Sequence, residues 1–362
     1  MATQQPLSEF AVSVDAGQSM VMLLKGIAYF CFFAATILMC RTDKRIKQIM
    51  LCIICSGLFQ ALYGALEVLL GSDVSWVFGL PVKNITTGTF VYKNHYANYL
   101  MLCLSIGVGY LVSTLNSQAA GSNRERVRNF LNTMLNGKAV VRIALAIMVI
   151  ALVMSRSRMG NTAFFASMTI IGFLGLLLIK HRSKGLTILI VSLFVIDTFI
   201  LSAWFGLDKV QERLEQTSLE QEKRDEVVRD SLPLLIDFKL TGSGMGSYYS
   251  VFPNYQGEDI YAFYDHAHND YLQFAIEAGI PATILIALLP VWAFAVGIKS
   301  LRDRRNALMQ GLAFGVCMAV LGMLIHISVD FPLQAPANAM LFVIIIALGC
   351  CTKKRERRRW SR

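Results

Sequence analysis

Long apolar stretches alternate along the chain with shorter polar ones, many of them rich in Lys and Arg. A helix needs about 20 apolar residues to cross the hydrocarbon core of a bilayer. About nine stretches approach that length: 19–40, 48–70, 97–115, 139–154, 161–179, 186–205, 271–298, 308–327 and 338–350. They are continuous runs, unlike the in–out alternation of a membrane β-strand. In lipid the backbone must satisfy its own hydrogen bonds, so each run is predicted as a helix. The predicted fold class is an all-α, polytopic membrane protein.

The runs group around two larger polar segments. Residues 1–140 hold about three predicted spans and a loop at 71–96. Residues 141–352 hold the remaining spans and the large polar segment 206–270, and 353–362 form a basic tail. Within 206–270 the stretch 208–230 is charged and predicted helical, with a ragged apolar stripe that Pro233 interrupts.

Composition agrees with a membrane protein: 55% of residues are hydrophobic, 16% are charged, and the mean hydropathy is +0.52. With nine alternating spans, the basic clusters at 41–47, 124–138, 180–184, 299–305 and 353–362 all fall on one side. The positive-inside trend makes that side cytoplasmic, with the C-terminus there and the N-terminus and 206–270 on the opposite face. The net charge of +10 then reflects topology, and the expected partner of the basic tail is the anionic membrane surface, not nucleic acid. Met1–Gln18 has neither the basic start nor the cleavage site of a signal peptide. The cysteines sit in or beside apolar runs, and Cys52-x-x-Cys55 reads as packing within a helix. No spacing suggests zinc, and no nucleotide-binding motif is present, so no metal and no cofactor are expected.

The candidate chemistry lies on the face away from the basic clusters. The stretch His266-Ala267-His268-Asn269-Asp270-Tyr271 stands where the large polar segment meets an apolar run. Gly242, Gly244 and Gly246 precede the aromatic cluster Tyr248, Tyr249, Phe252 and Tyr255. Closely spaced glycines let backbone N–H groups approach an anion, or make a flexible loop. Ser155-Arg156-Ser157-Arg158 puts two arginines at the opposite face from the other basic clusters, and a guanidinium fork suits phosphate oxygens. The alternative is a helix-end ion pair. Asn94-His95 precedes one run, and His326 and Asp330 end another. Of the five histidines, only His181 falls on the basic face. Asp197 and Glu277 are ionisable groups inside predicted spans, where burial is expensive.

Together these motifs resemble the O-antigen ligase/polymerase superfamily of bacterial inner-membrane proteins. That family carries His-Asn, nine residues, then Gly-x-x-Gly, at the end of its large periplasmic segment. Here His268-Asn269 is followed by residues 270–278 and by Gly279-Ile280-Pro281-Ala282, with Ala282 in place of the last glycine. Ser157-Arg158, Asn94-His95, the Gly242–Gly246 run, an arginine at Arg224 and the stretch from His326 to Asn338 are similar to further family motifs. The resemblance covers the chain from about residue 21 onward. Members commonly have about twelve spans, so this chain looks like one lacking the first few helices.

The resemblance implies a GT-C-like architecture with its active face in the periplasm. It implies transfer of a glycan from undecaprenyl pyrophosphate to a second glycan, a lipid A core or a protein, by a metal-independent, inverting reaction. Arg158, with Arg156 and Arg224, would hold the pyrophosphate. His268 would orient or deprotonate the acceptor hydroxyl, or bind diphosphate instead. Asn269, Tyr271, Asn94, His95, His326 and Gly244 would line the substrate site. A bicarbonate or small-ion transporter, favoured by Asp197 and Glu277, and a non-catalytic truncated member remain the alternatives.

Overall fold

A computed structural model describes residues 13–77, 79, 85–115, 137–179, 187–188, 191–192, 225–257 and 263–352. The helices in chain order are α1 (Ala16–Met39), α2 (Asp43–Leu69), α3 (Lys93–Leu115), α4 (Gly137–Met154) and α5 (Arg158–Leu178). They continue as α6 (225–238), the short α7 (Tyr248–Val251), α8 (Asp270–Ala278), α9 (Ile280–Asp303), α10 (Ala307–His326) and α11 (Pro336–Cys351). Among the described residues six helices are long and apolar enough to span a membrane: α1, α2, α3, α5, α9 and α10. Ala139–Met154 and Pro336–Cys351 are apolar but shorter. The expected span at 186–205 lies largely outside the described residues, as do Asp197, His181, Arg224 and the basic tail.

Two expectations need correction. The apolar run 271–298 is not one helix. It breaks at Gly279, whose φ of +78° lies in the left-handed region that disfavours side chains, and α9 starts afresh at Ile280. Pro233 does not interrupt its helix either, since 225–238 is continuous. The hydrogen bond lost at proline is offset by anchoring on both sides, at buried Val227 and buried Leu234.

The chain divides into two units. One comprises Phe32–Leu201, Pro290–His326 and Ala337–Arg362. Its centre is the α3–α10 pair, with 83% of the apolar window of each helix buried. A helix hydrophobic on all sides suits such a central place. Gly109, Gly311 and Gly315 let the two backbones touch: a Cβ on Gly109 would meet the Gly311 carbonyl oxygen, and one on Gly311 would meet that of Gly109. Helices α2, α4 and α5 pack around α3.

The other unit comprises Met1–Cys31, Ser202–Leu289 and Ile327–Pro336. Its core joins Val227 and Leu234 of α6 to Tyr248, Val251, Phe252, Ala267, Leu272 and Ile276. Tyr248 stacks on Phe252 with ring centroids 5.1 Å apart, and its hydroxyl shares a 2.8 Å hydrogen bond with Ser231. The start of α1 closes on the glycine loop. Asp15 caps α1 through the Gln18 N–H and also accepts from the hydroxyls of Tyr249, at 2.8 Å, and Ser250, at 3.0 Å. Val14 N–H donates to the Ser243 carbonyl at 2.9 Å, and the Ser19 hydroxyl to the Met245 carbonyl at 2.9 Å.

Candidate functional site

Within the unit containing α8, the His266–Asp270 turn is built around Phe331. The His266 ring stacks on Phe331 at 4.5 Å, and the His268 ring meets the same phenyl edge-on at 4.9 Å. Tyr264 lies 5.8 Å from His268, also edge-on. Asn269 is the N-cap of α8: its Oδ1 accepts from the Leu272 N–H at 3.1 Å, while its Nδ2 donates to the Ser328 carbonyl at 3.0 Å. Asp270 is fully buried and holds the segment that carries Phe331. Its carboxylate accepts from the Leu333 N–H at 2.9 Å and from Gln334 Nε2 at 3.0 Å, and its own N–H donates to the Ile327 carbonyl at 3.0 Å. Burial, with Asp330 and Glu277 nearby, pushes the Asp270 carboxyl up to about 7. Tyr271 stays well exposed on α8.

Behind the histidines stands a chain that the sequence reading did not identify. Glu277 is almost fully buried, and it lies in the short helix α8, not within a membrane span. Its carboxylate accepts from the Gly246 N–H at 2.9 Å, the Tyr248 N–H at 3.3 Å and Gln273 Nε2 at 3.0 Å. The group that the glycine loop cradles is the carboxyl of a side chain of the protein itself. Gly244 belongs to the same scaffold, since its N–H donates to the Glu277 carbonyl at 2.9 Å. Burial pushes the Glu277 carboxyl upward; these three donors and the Lys25 ammonium on α1 oppose that shift.

Gln273 links Glu277 to His266. Its Oε1 accepts the Ala267 N–H at 3.2 Å, and its Nε2 lies 3.1 Å from His266 Nδ1. Gln273 Oε1 lies 3.3 Å from the same Nδ1, so the amide can meet His266 in either tautomer, accepting from a protonated Nδ1 or donating to a bare one. Burial holds the His266 imidazole below its usual range, partly opposed by the exposed Asp265 carboxylate 3.9 Å from Nε2. The seven-residue spacing from His266 to Gln273 was visible in the sequence, but nothing there marked the pair as bonded.

The other unit holds the remaining candidates. Ser155 and Ser157 are buried in the turn between α4 and α5, and Arg156 and Arg158, alternating with them, are exposed. Ser157 is the N-cap of α5: its hydroxyl accepts from the Gly160 N–H at 3.2 Å and donates to Asn94 Oδ1 at 2.7 Å. Arg158 is therefore the first residue of a 21-residue helix, where the macrodipole already places positive potential. Asn94 also donates to the Tyr92 hydroxyl at 3.0 Å, and the His95 ring packs edge-on against Tyr92 at 5.0 Å. His326 is fully buried, with its Nδ1 3.0 Å from Asn98 Nδ2. Asn338 Nδ2 donates to the His95 carbonyl at 3.1 Å. Asn94, His95 and His326 thus stand where α3, α5, α10 and α11 are knitted together.

One backbone feature is common to both groups. Among the described residues only Arg156 and His268 are non-glycine residues with positive φ, each at 51°. Such conformations cost of order 1–3 kcal/mol and cluster at functional sites. Among the described residues no group of three or more His, Cys, Asp or Glu could hold a metal ion.

Residues 143–287 match the family model described as O-antigen ligase. The matched segment includes Arg156, Arg158, α6, the glycine loop, His266, His268, Gln273 and Glu277, and stops short of His95 and His326. The chain is accordingly consistent with the O-antigen ligase/polymerase family, and its apolar helices make it a multi-pass membrane protein. No curated protein and no solved structure matches the chain.

Proposed function

We propose that this protein transfers a glycan from undecaprenyl pyrophosphate to an acceptor on the periplasmic side of the bacterial inner membrane. The observation that carries the reading is the pair of strained residues, Arg156 and His268, standing at the two polar turns of the segment that matches the O-antigen ligase model. In this reading the spans number about nine in a GT-C-like arrangement, the C-terminus is cytoplasmic, and the acceptor is a glycan, a lipid A core or a protein.

A lipid pyrophosphate is already a good leaving group. The enzyme must supply charge stabilisation and positioning, and the reaction proceeds without metal. Arg158 and Arg156, with Arg224, bind the pyrophosphate, and the N-terminus of α5 adds its dipole. His268 takes the proton of the acceptor hydroxyl as it attacks the anomeric carbon, which inverts the centre. His266, held at Nδ1 by Gln273, hydrogen-bonds the bound substrates through its other ring nitrogen. Asn269 holds the turn that presents both rings, and Tyr271 offers an exposed aromatic face to a sugar. Ion transport loses its support from Glu277, whose carboxylate is engaged by three donors outside the spans.

The test is glycan transfer in membranes of a defined host, comparing the chain with Arg158→Ala and His268→Ala at matched abundance. Transfer by the parent and by neither variant supports the reading. Undiminished transfer by both variants would overturn the assigned roles.

A further inference from the structure

Helix α6 has two faces. Val227, Ser231 and Leu234 point into the core of its unit. The opposite face changes character along the axis: Asp225 and Arg229 are exposed near its start, and Leu232 (48% exposed), Ile236 (62%) and, just past its end, Leu240 (70%) follow. The spacing of four puts these three apolar side chains on one stripe. An exposed apolar stripe at one end of an otherwise charged helix needs a partner.

The apolar end is bonded to the start of a membrane helix. The Ile280 N–H, first in α9, donates to the Lys239 carbonyl at 2.8 Å, and a Cβ on Gly279 would press on the Leu240 backbone. Beyond Ile280, α9 exposes Ile284, Leu285, Ile286 and Leu288, as a lipid-facing span does. Leu240 therefore stands at the depth where α9 enters hydrocarbon. Exposed Lys239 lies at the same level, where its stem can lie along acyl chains and its ammonium can reach headgroup phosphates. The Asp237 carboxylate is held by the Tyr255 hydroxyl at 2.7 Å.

We infer that the C-terminal end of α6 is an interfacial anchor, with Leu232, Ile236 and Leu240 inserted at the boundary between lipid headgroups and acyl chains. The occupant of the stripe is the lipid surface itself, because the stripe is continuous with the lipid-exposed start of α9. The polarity gradient gives the helix a tilt, with Arg229 in water and Leu240 deepest. Since Phe238 accepts from the Gly242 N–H at 2.9 Å, the anchor also ties the glycine loop, and through it Glu277 and α8, to a set height above the bilayer. The inference rests on α9 being a span and is independent of the glycan-transfer reading.

The experiment uses the full chain in nanodiscs of phosphatidylcholine and phosphatidylglycerol, with exposed Cys31, Cys52 and Cys55 replaced by Ser. Nitroxide labels are placed singly through Arg229→Cys, Leu232→Cys, Ile236→Cys and Leu240→Cys, with Ile284→Cys as the in-membrane reference. Collision with oxygen relative to a water-soluble nickel chelate should rise from 229 to 240 and approach the reference value at 240. Nickel access at 236 and 240 equal to that at 229 would overturn the anchor. So would labels shielded from both reagents, which would mean that protein covers the stripe. Where a labelled variant does not fold, quenching of tryptophan in Ile236→Trp by brominated lipid above the parent level supports the anchor, and quenching at the parent level overturns it.

Discussion

Replacing Glu277 with alanine should release the glycine loop. The substitution strands three donors at once: the Gly246 and Tyr248 N–H groups and Gln273 Nε2. Glu277 is 1% exposed, so water cannot simply take over the vacated positions. A buried donor left without an acceptor costs about 1–3 kcal/mol. The 3.3 Å contact from Tyr248 is the weakest of the three, so the two shorter ones set the scale. Removing the buried carboxylate also recovers its desolvation penalty, which offsets part of the loss. The expected net local destabilisation is about 3 kcal/mol, equivalent to an increase of roughly a hundredfold in opening of the loop. Glu277→Gln keeps the shape but turns an amide NH2 toward one set of donors, and should cost about 1–2 kcal/mol. Amide hydrogen exchange in peptides covering 242–251 reads this directly. Exchange in Glu277→Ala within threefold of the parent would show that the carboxylate does not hold the loop.

Asp270 gives a pH dependence of defined sign. Its carboxyl is near 7 in the folded chain against 3.8 unexposed to burial, so the folded state binds the proton more tightly. Stability should be highest below about pH 4 as far as this group is concerned and fall as pH rises through 7; hydrogen exchange across 327–336 should quicken over that interval, and Asp270→Asn should flatten the dependence even though it lowers stability overall. Arg156→Gly relieves a left-handed backbone and should leave thermal stability in detergent unchanged or raised by up to about 1 kcal/mol while lowering glycan transfer; a loss of stability would show that the arginine side chain, not its backbone, dominates the turn. Gly311→Val drives a branched side chain into the α3 backbone at Gly109 and should cost more than about 3 kcal/mol, seen as loss of folded protein on size-exclusion chromatography. A normal elution profile and yield would refute the close approach of α3 and α10.

The membrane helices were legible because a run of about 20 apolar residues has few other uses. Asn269 stood out only as a candidate substrate-site residue, and its place as the N-cap of α8 emerged with the structure. Other features were not legible either. The break at Gly279 lies inside an apolar run that looks uniform, and the backbone that leaves no room there for a Cβ, at Leu240, is far away in the chain. Glu277 read as a charge in lipid because span and cap were merged into one helix; its cradle comes from residues about thirty positions earlier. Gln273 carried no signal, since its role depends on a turn that brings His266 back over α8. Pro233 was overvalued as a breaker because local propensity yields to the packing of Val227 and Leu234. His326 stood out as an ionisable group at a helix end, and burial against Asn98 makes it part of a helix junction.

The contacts that begin at Ser13 bear on how the protein can be handled. Val14, Asp15 and Ser19 are stitched to Ser243, Met245, Tyr249 and Ser250, on the same loop that grips Glu277. A reporter or affinity tag fused directly at this point would crowd the stitch, and trimming beyond it would remove the stitch altogether. Expression designs should therefore retain 13–19 intact and set any N-terminal fusion off with a flexible spacer, so that yield and any measured transfer report on the folded protein and not on a loosened loop.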